Sequence, residues 1–169
     1  MMAVRRRLLG DDVRGASVVV CPAFDRQWAL RVVADREGGR ITYVVAGARL
    51  SEDTGPDAPV SRVAVSVHAA TFAAVDRAWS MMLSRASRPT ELRRVIDGTH
   101  YLFIRSGGTQ DTRAGWTWSP PAATAAGELA GLVDTLRGYV LAPVGDRPRL
   151  EATILHAGVQ VAEMAERLQ

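Results

Sequence analysis

Residues 17–45, SVVVCPAFDRQWALRVVADREGGRITYVV, decide the fold. Ser17 to Phe24 reads as a short buried strand, because Val18, Val19 and Val20 are β-branched and Pro22 ends the run. From Gln27 to Ala34 the residues alternate, with Trp28, Leu30 and Val32 on one face and Arg31 on the other, the period of a half-buried antiparallel strand. Gly38 and Gly39 are expected to turn the chain into a third strand, Arg40 to Val45, with Ile41, Tyr43 and Val45 facing alike. Three strands joined by short turns form a meander, and a meander builds an antiparallel sheet.

Downstream of this stretch, residues 51–61 hold two prolines and a glycine among polar residues and read as a loop. A fourth strand, Arg62 to His68, should turn Val63, Val65 and Val67 inward. Thr71 is the expected N-cap of a helix whose apolar residues Phe72, Val75, Trp79, Met82, Leu83 and Ala86 recur at helical spacing up to Pro89. Asp97-Gly98 then turns the chain into Thr99 to Arg105, and Gly107-Gly108 opens a loop that returns through Ala114 to Ser119. This hairpin is expected to set Tyr101 and Phe103 across from Trp116 and Trp118, with Gln110, Asp111 and Arg113 on its rim. Pro120-Pro121 stops the second strand, and a helix from Thr124 aligns Leu129, Leu132, Val133, Leu136, Tyr139 and Val140 before Pro143.

The predicted fold class is α+β: a mostly antiparallel sheet of about six strands in the order β-β-β-β-α-β-β-α-α, with two amphipathic helices on one face and a C-terminal helix. Residues 1–142 read as a single domain, 143–149 as a short connector and 150–169 as the C-terminal helix. Along that helix Leu150, Ile154, Ala157, Val161, Met164 and Leu168 recur at spacings of four and three, the stripe of a helix seam. Two readings of the seam stay open. Either it packs on its own domain, or Ile154, Ala157, Val161, Met164 and Leu168 serve self-association.

Composition excludes several chemistries. All 21 basic residues are arginine, and the chain contains no lysine and no asparagine. There is therefore no Schiff-base lysine, no P-loop lysine, no N-glycosylation acceptor and no Cys-His-Asn triad. With abundant Ala, Val, Gly and Arg, this composition fits a GC-rich bacterial genome. A net charge of +3 is a weak field, and the arginines are scattered apart from the pair Arg93-Arg94 and the run Arg5-Arg6-Arg7, which Asp11 and Asp12 answer, so nucleic acid is not the expected partner. Arg5-Arg6-Arg7-Leu8-Leu9 superficially resembles the start of a twin-arginine export signal. Gly10, Asp11, Asp12 and Arg14 interrupt the apolar run such a signal needs, so no signal and no lipid anchor at Cys21 is expected. With one cysteine and no long apolar stretch, the expected location is the cytoplasm, away from membranes.

The candidate catalytic groups are Cys21, His68, His100 and His156. A thiolate-imidazole pair needs the fold to bring Cys21 to a histidine, whereas a Val-Val-Val-Cys run reads first as a core strand. The histidines show no metal-ligand spacing, and no Gly-x-Ser-x-Gly or Gly-x-Gly-x-x-Gly occurs, so no catalytic residue, metal or cofactor is expected. What remains is the aromatic hairpin. Tyr101, Phe103, Arg113, Trp116 and Trp118 are either core or a recognition surface, since Trp, Tyr and Arg dominate interface hot spots. The expectation is a non-catalytic protein-binding module of bacterial type, an adaptor, inhibitor or immunity-like protein. The alternative is a small enzyme or ligand-binding domain using Cys21 or a histidine.

Overall fold

The computed structural model describes residues 2–10, 14–50, 58–85, 97–107 and 111–167. In chain order these form α1 (Met2–Leu9), β1 (Gly15–Pro22), β2 (Trp28–Asp35), β3 (Gly38–Ala46), β4 (Val60–His68), α2 (Ala69–Ser84), β5 (Thr99–Ser106), β6 (Thr112–Trp118), α3 (Ala125–Leu141), a 3-10 turn (Val144–Asp146) and α4 (Arg147–Arg167). The strands make one six-stranded sheet in the order β4-β3-β2-β1-β5-β6, and every neighbouring pair is antiparallel. The meander runs outward from β1 to β4. α2 then carries the chain back across the sheet, so that β5 docks on the free side of β1.

Each face of the sheet has its own core, because side chains alternate along a strand. On the front face, Val18, Val20, Trp28, Leu30, Val32, Ile41, Tyr43, Val65 and Val67 pack with side chains of α2, α3 and α4. On the back face, Val19, Ala29, Val44, Ala46 and Ile104 pack with Leu8 and Leu9 of α1 and with Leu50. α1 stands where sequence reasoning saw only a run of arginines. The Arg7 guanidinium ties it down by donating to the carbonyl of Ala58.

Several boundaries differ from expectation for local reasons. The β2–β3 turn is Arg36-Glu37, since Asp35 pairs with Gly38, and both glycines belong to β3. Gly39 is needed there because a Cβ would lie 2.8 Å from the Phe72 ring of α2. β4 begins at Val60, inside the expected loop, whereas residues 51–57 lie outside the described residues, as do Ala86 and Pro89. α3 starts as expected, with the Thr124 hydroxyl accepting from the Gly127 N–H at 3.1 Å. α2 starts before Thr71, which is buried in its first turn. His68 occupies the cap position without a side-chain cap bond, and its N–H donates instead to the Glu151 carboxylate of α4 at 2.6 Å.

The C-terminal helix starts at Arg147, within the expected connector, and lies on α2 and α3. Ile154 and Val161 are fully buried in the front core, and Ala157 and Leu150 pack against it. Gly158 permits close approach, since a Cβ there would lie 3.1 Å from the backbone of Ala74 in α2.

Candidate functional site

Residues paired across an antiparallel ladder share a face, so the register assigns every hairpin side chain to front or back. In β5–β6, His100 pairs with Trp118, Leu102 with Trp116, and Tyr101 with Thr117. The two tryptophans are therefore on the back face with His100 and Leu102, and Tyr101 and Phe103 are on the front. The expected aromatic facing of Tyr101 and Phe103 with Trp116 and Trp118 is thereby corrected. Ser106 pairs with Thr112, so even residues pair with even ones, and a slip of one residue would have been needed for the other arrangement.

Tyr101 and Phe103 belong to the front-face packing. Their rings stack with centroids 6.0 Å apart, and Trp79 of α2 meets Phe103 edge-on at 5.7 Å. The Trp79 indole N–H in turn donates to the Ser17 carbonyl of β1, which satisfies a buried donor. Arg113 is exposed at the opposite end of β6 from Trp118, on the front, paired with Arg105 and 3.8 Å from the Asp111 carboxylate. It does not join the tryptophans. Gln110 lies outside the described residues.

The back face near β6 carries a coherent group. Cys21, His100 and Trp118 form one row across β1, β5 and β6, and Val19, Leu102 and Trp116 form the next. Trp116 is 42% exposed, while Trp118, Leu102, His100 and Cys21 are half-buried. At the same end of the sheet, the Ala23 N–H donates to the Gly98 carbonyl at 2.9 Å, and the next residue, Phe24, is 82% exposed. Sequence reasoning missed Phe24 because it followed the strand run; its signal was an apolar ring placed directly before Asp25-Arg26 in a turn.

Gly98 and Ser119 hold Trp118 in place. Gly98 adopts φ +116°, and a Cβ on it would lie 2.5 Å from Trp118 Nε1, so only glycine leaves room for the indole. Ser119 takes a left-handed φ of 33°, while its N–H donates to the Thr99 carbonyl and its hydroxyl accepts from the Thr99 N–H. That Trp118 indole N–H is buried with no hydrogen-bond partner among the described residues.

The register does place Cys21 beside His100, the juxtaposition that nucleophile chemistry would require. Burial pushes the Cys21 thiol above its usual pKa, which works against a thiolate at neutral pH. His68 stands elsewhere, its Nδ1 2.9 Å from Glu151. His156 lies on the exposed side of α4. Among the described residues no group of three or more His, Cys, Asp or Glu side chains could hold a metal ion, and no helix is long and apolar enough to cross a membrane. Of the five seam residues, Ile154 and Val161 are spent on the chain's own core, Ala157 and Met164 are half-buried, and Leu168 lies outside the described residues. No protein-family model matches the chain, and neither a curated protein nor a solved structure matches it.

Proposed function

We propose that this chain is a non-catalytic protein-binding module of bacterial type, an adaptor, inhibitor or immunity-like protein, acting in the cytoplasm through the back face of its β5–β6 hairpin. The observation that carries this reading is the grouping of Trp116, Trp118, Leu102 and His100 on one face of an edge hairpin, with Phe24 exposed at the same end. Exposed aromatic side chains on a rigid strand supply large contact area at small entropic cost, and tryptophans are over-represented among residues whose truncation weakens interfaces most. Their contact requirement is an apolar pocket on the partner.

The test is a pull-down from lysate of the source organism, followed by a binding isotherm with the purified partner. Trp116→Ala should weaken that isotherm by a factor of about 30, the scale of an interface hot spot. A partner that binds Trp116→Ala and Phe24→Ala as tightly as wild type overturns the assignment of this surface.

The alternative, a small enzyme or ligand-binding domain, is favoured by one observation, the pairing of Cys21 with His100. It requires a thiol that alkylates quickly near neutral pH. A rate that rises only well above the usual thiol range removes it.

A further inference from the structure

The two edges of the sheet are finished differently. On β4 the outward main-chain groups at Ser66 and His68 are taken: the Tyr139 hydroxyl of α3 donates to the Ser66 carbonyl at 2.8 Å, and the His68 N–H donates to the Glu151 carboxylate of α4 at 2.6 Å. β6 has no such cover among the described residues. At its two ends the Ser119 N–H donates to the Thr99 carbonyl and the Gly107 N–H to the Asp111 carbonyl. Hydrogen-bonded pairs alternate along an antiparallel ladder, so the odd-numbered residues of β6 turn their main chain to β5. The even-numbered ones, Thr112, Ala114, Trp116 and Trp118, turn theirs outward, and no described residue bonds to these groups. Thr112, Ala114 and Trp116 are exposed. The strand holds unbroken register with β5 from Thr112 to Trp118, and its one glycine, Gly115, stands opposite Phe103, an aromatic neighbour of the kind that supports an edge glycine. A regular edge with free donors and acceptors is a template for extended chain, whose alternate side chains then supply specificity.

We propose that the partner of the hairpin surface engages it with an extended segment that adds to β6 as a further strand, apolar at alternate positions and acidic at one position between them. This rests on the tryptophan reading above and names the chemistry of its partner. The added strand is antiparallel to β6, as every other pair in the sheet is. On β6 the residues with outward main chain are the same ones whose side chains lie on the back face. Partner residues bonded directly to Ala114, Trp116 and Trp118 therefore share that face with both indoles, and apolar side chains there cover the exposed Trp116 ring. The partner residues between them project to the front, opposite Arg113, Gly115 and Thr117. Arg113 and Arg105 are cross-strand neighbours, and Arg105 is answered by Asp76 at 3.0 Å. Arg113 has the Asp111 carboxylate at 3.8 Å, and its side chain is 55% exposed. An Asp or Glu opposite Arg113 supplies the favourable cross-strand charge pair. Residues 112–118 contain no acid, so β6 of a second copy has none to offer, and charge complementarity selects a different chain as the occupant.

The probe is a display library of random peptides as long as β6, panned on the full chain. Enriched sequences should alternate apolar with polar residues and carry an acid between two apolar positions. Fluorescein-labelled synthetic versions, read by anisotropy, then test the main chain directly. N-methylating the alternate amides that face β6 should weaken binding about tenfold or more, and methylating the intervening set should leave it within about twofold. On the protein, Ala114→Pro removes an outward N–H that β5 does not use and should abolish binding, whereas Ala114→Thr keeps that N–H and should bind as wild type does. The methylated peptides keep the test decisive even if the proline variant fails to fold. No enriched sequence, apolar positions spaced three and four apart as on a helix, or equal tolerance of both methylated sets overturns strand addition. A folded Ala114→Pro that binds as tightly as wild type does the same, and a wild-type dimer in sedimentation velocity that Ala114→Pro makes monomeric gives the edge to a second copy instead. The tryptophan reading fails separately: Trp116→Ala that binds the selected peptide as tightly as wild type removes it, while Trp116→Ala that weakens a peptide indifferent to methylation leaves it standing and removes only the added strand.

Discussion

Two residues carry more of the architecture than their size suggests. Gly98 has a backbone conformation that side chains rarely adopt and faces an indole that leaves no space for a Cβ. Gly98→Ala should therefore cost roughly 1–3 kcal/mol by chemical denaturation and should also loosen Trp118. Glu151 joins α4 to the start of α2, accepting from the His68 main chain and from the His68 and Thr71 side chains. Burial pushes its carboxyl upward, but these hydrogen bonds outweigh burial and hold its pKa below the usual glutamate value. A carboxylate whose pKa is depressed by folding stabilises the protein above its unfolded-state pKa, and loses that contribution as pH falls through the folded-state value. Glu151→Gln should thus destabilise the protein at neutral pH by about 1–3 kcal/mol. The gap from wild type should narrow as pH falls through and below the usual glutamate range, as read by urea titrations at each pH. A gap that stays constant would mean that Glu151 holds the helices by shape rather than charge.

At the scale of elements, α1 is the least obvious component and a consequential one. Leu8 is fully buried against the back of the sheet, so Leu8→Ala should cost about 2–5 kcal/mol; a change within about 0.5 kcal/mol, as at an ordinary surface site, would mean α1 does not seal that face. The strands were legible because β-branched runs and period-two alternation record directly which face is buried, as Trp28, Leu30 and Val32 illustrate. α1 was illegible because three consecutive arginines mask a short apolar face made of Val4, Leu8 and Leu9. The start of α2 was misplaced for a different reason. A local rule selects Thr71 as cap, whereas the actual acceptor for His68 comes from a residue 83 positions away in the chain. The candidate site was half legible: Trp116 and Trp118 are on one face together, as alternation requires, but which face depends on the hairpin register, and the pairing of Ser106 with Thr112 is a tertiary fact that alternation along one strand does not declare.

For the whole molecule, the decisive fact is that α4 contributes Ile154 and Val161 to the same core as β1, β2 and β3. Unfolding should accordingly be one transition, with far-UV circular dichroism and tryptophan fluorescence superimposing; an early loss of helix signal alone would show α4 melting as a separate unit. For the same reason, removing α4 is a poor way to ask whether it binds anything, since the core would fail first. Folding should be slow for a chain of this size, in the millisecond to second range, because β5 must find β1 across the whole length of the meander. The position of Cys21, in one row with His100 and Trp118, has a practical corollary. As the sole sulfhydryl of the chain, it is a built-in footprinting reporter: a partner seated on the tryptophans would slow its alkylation.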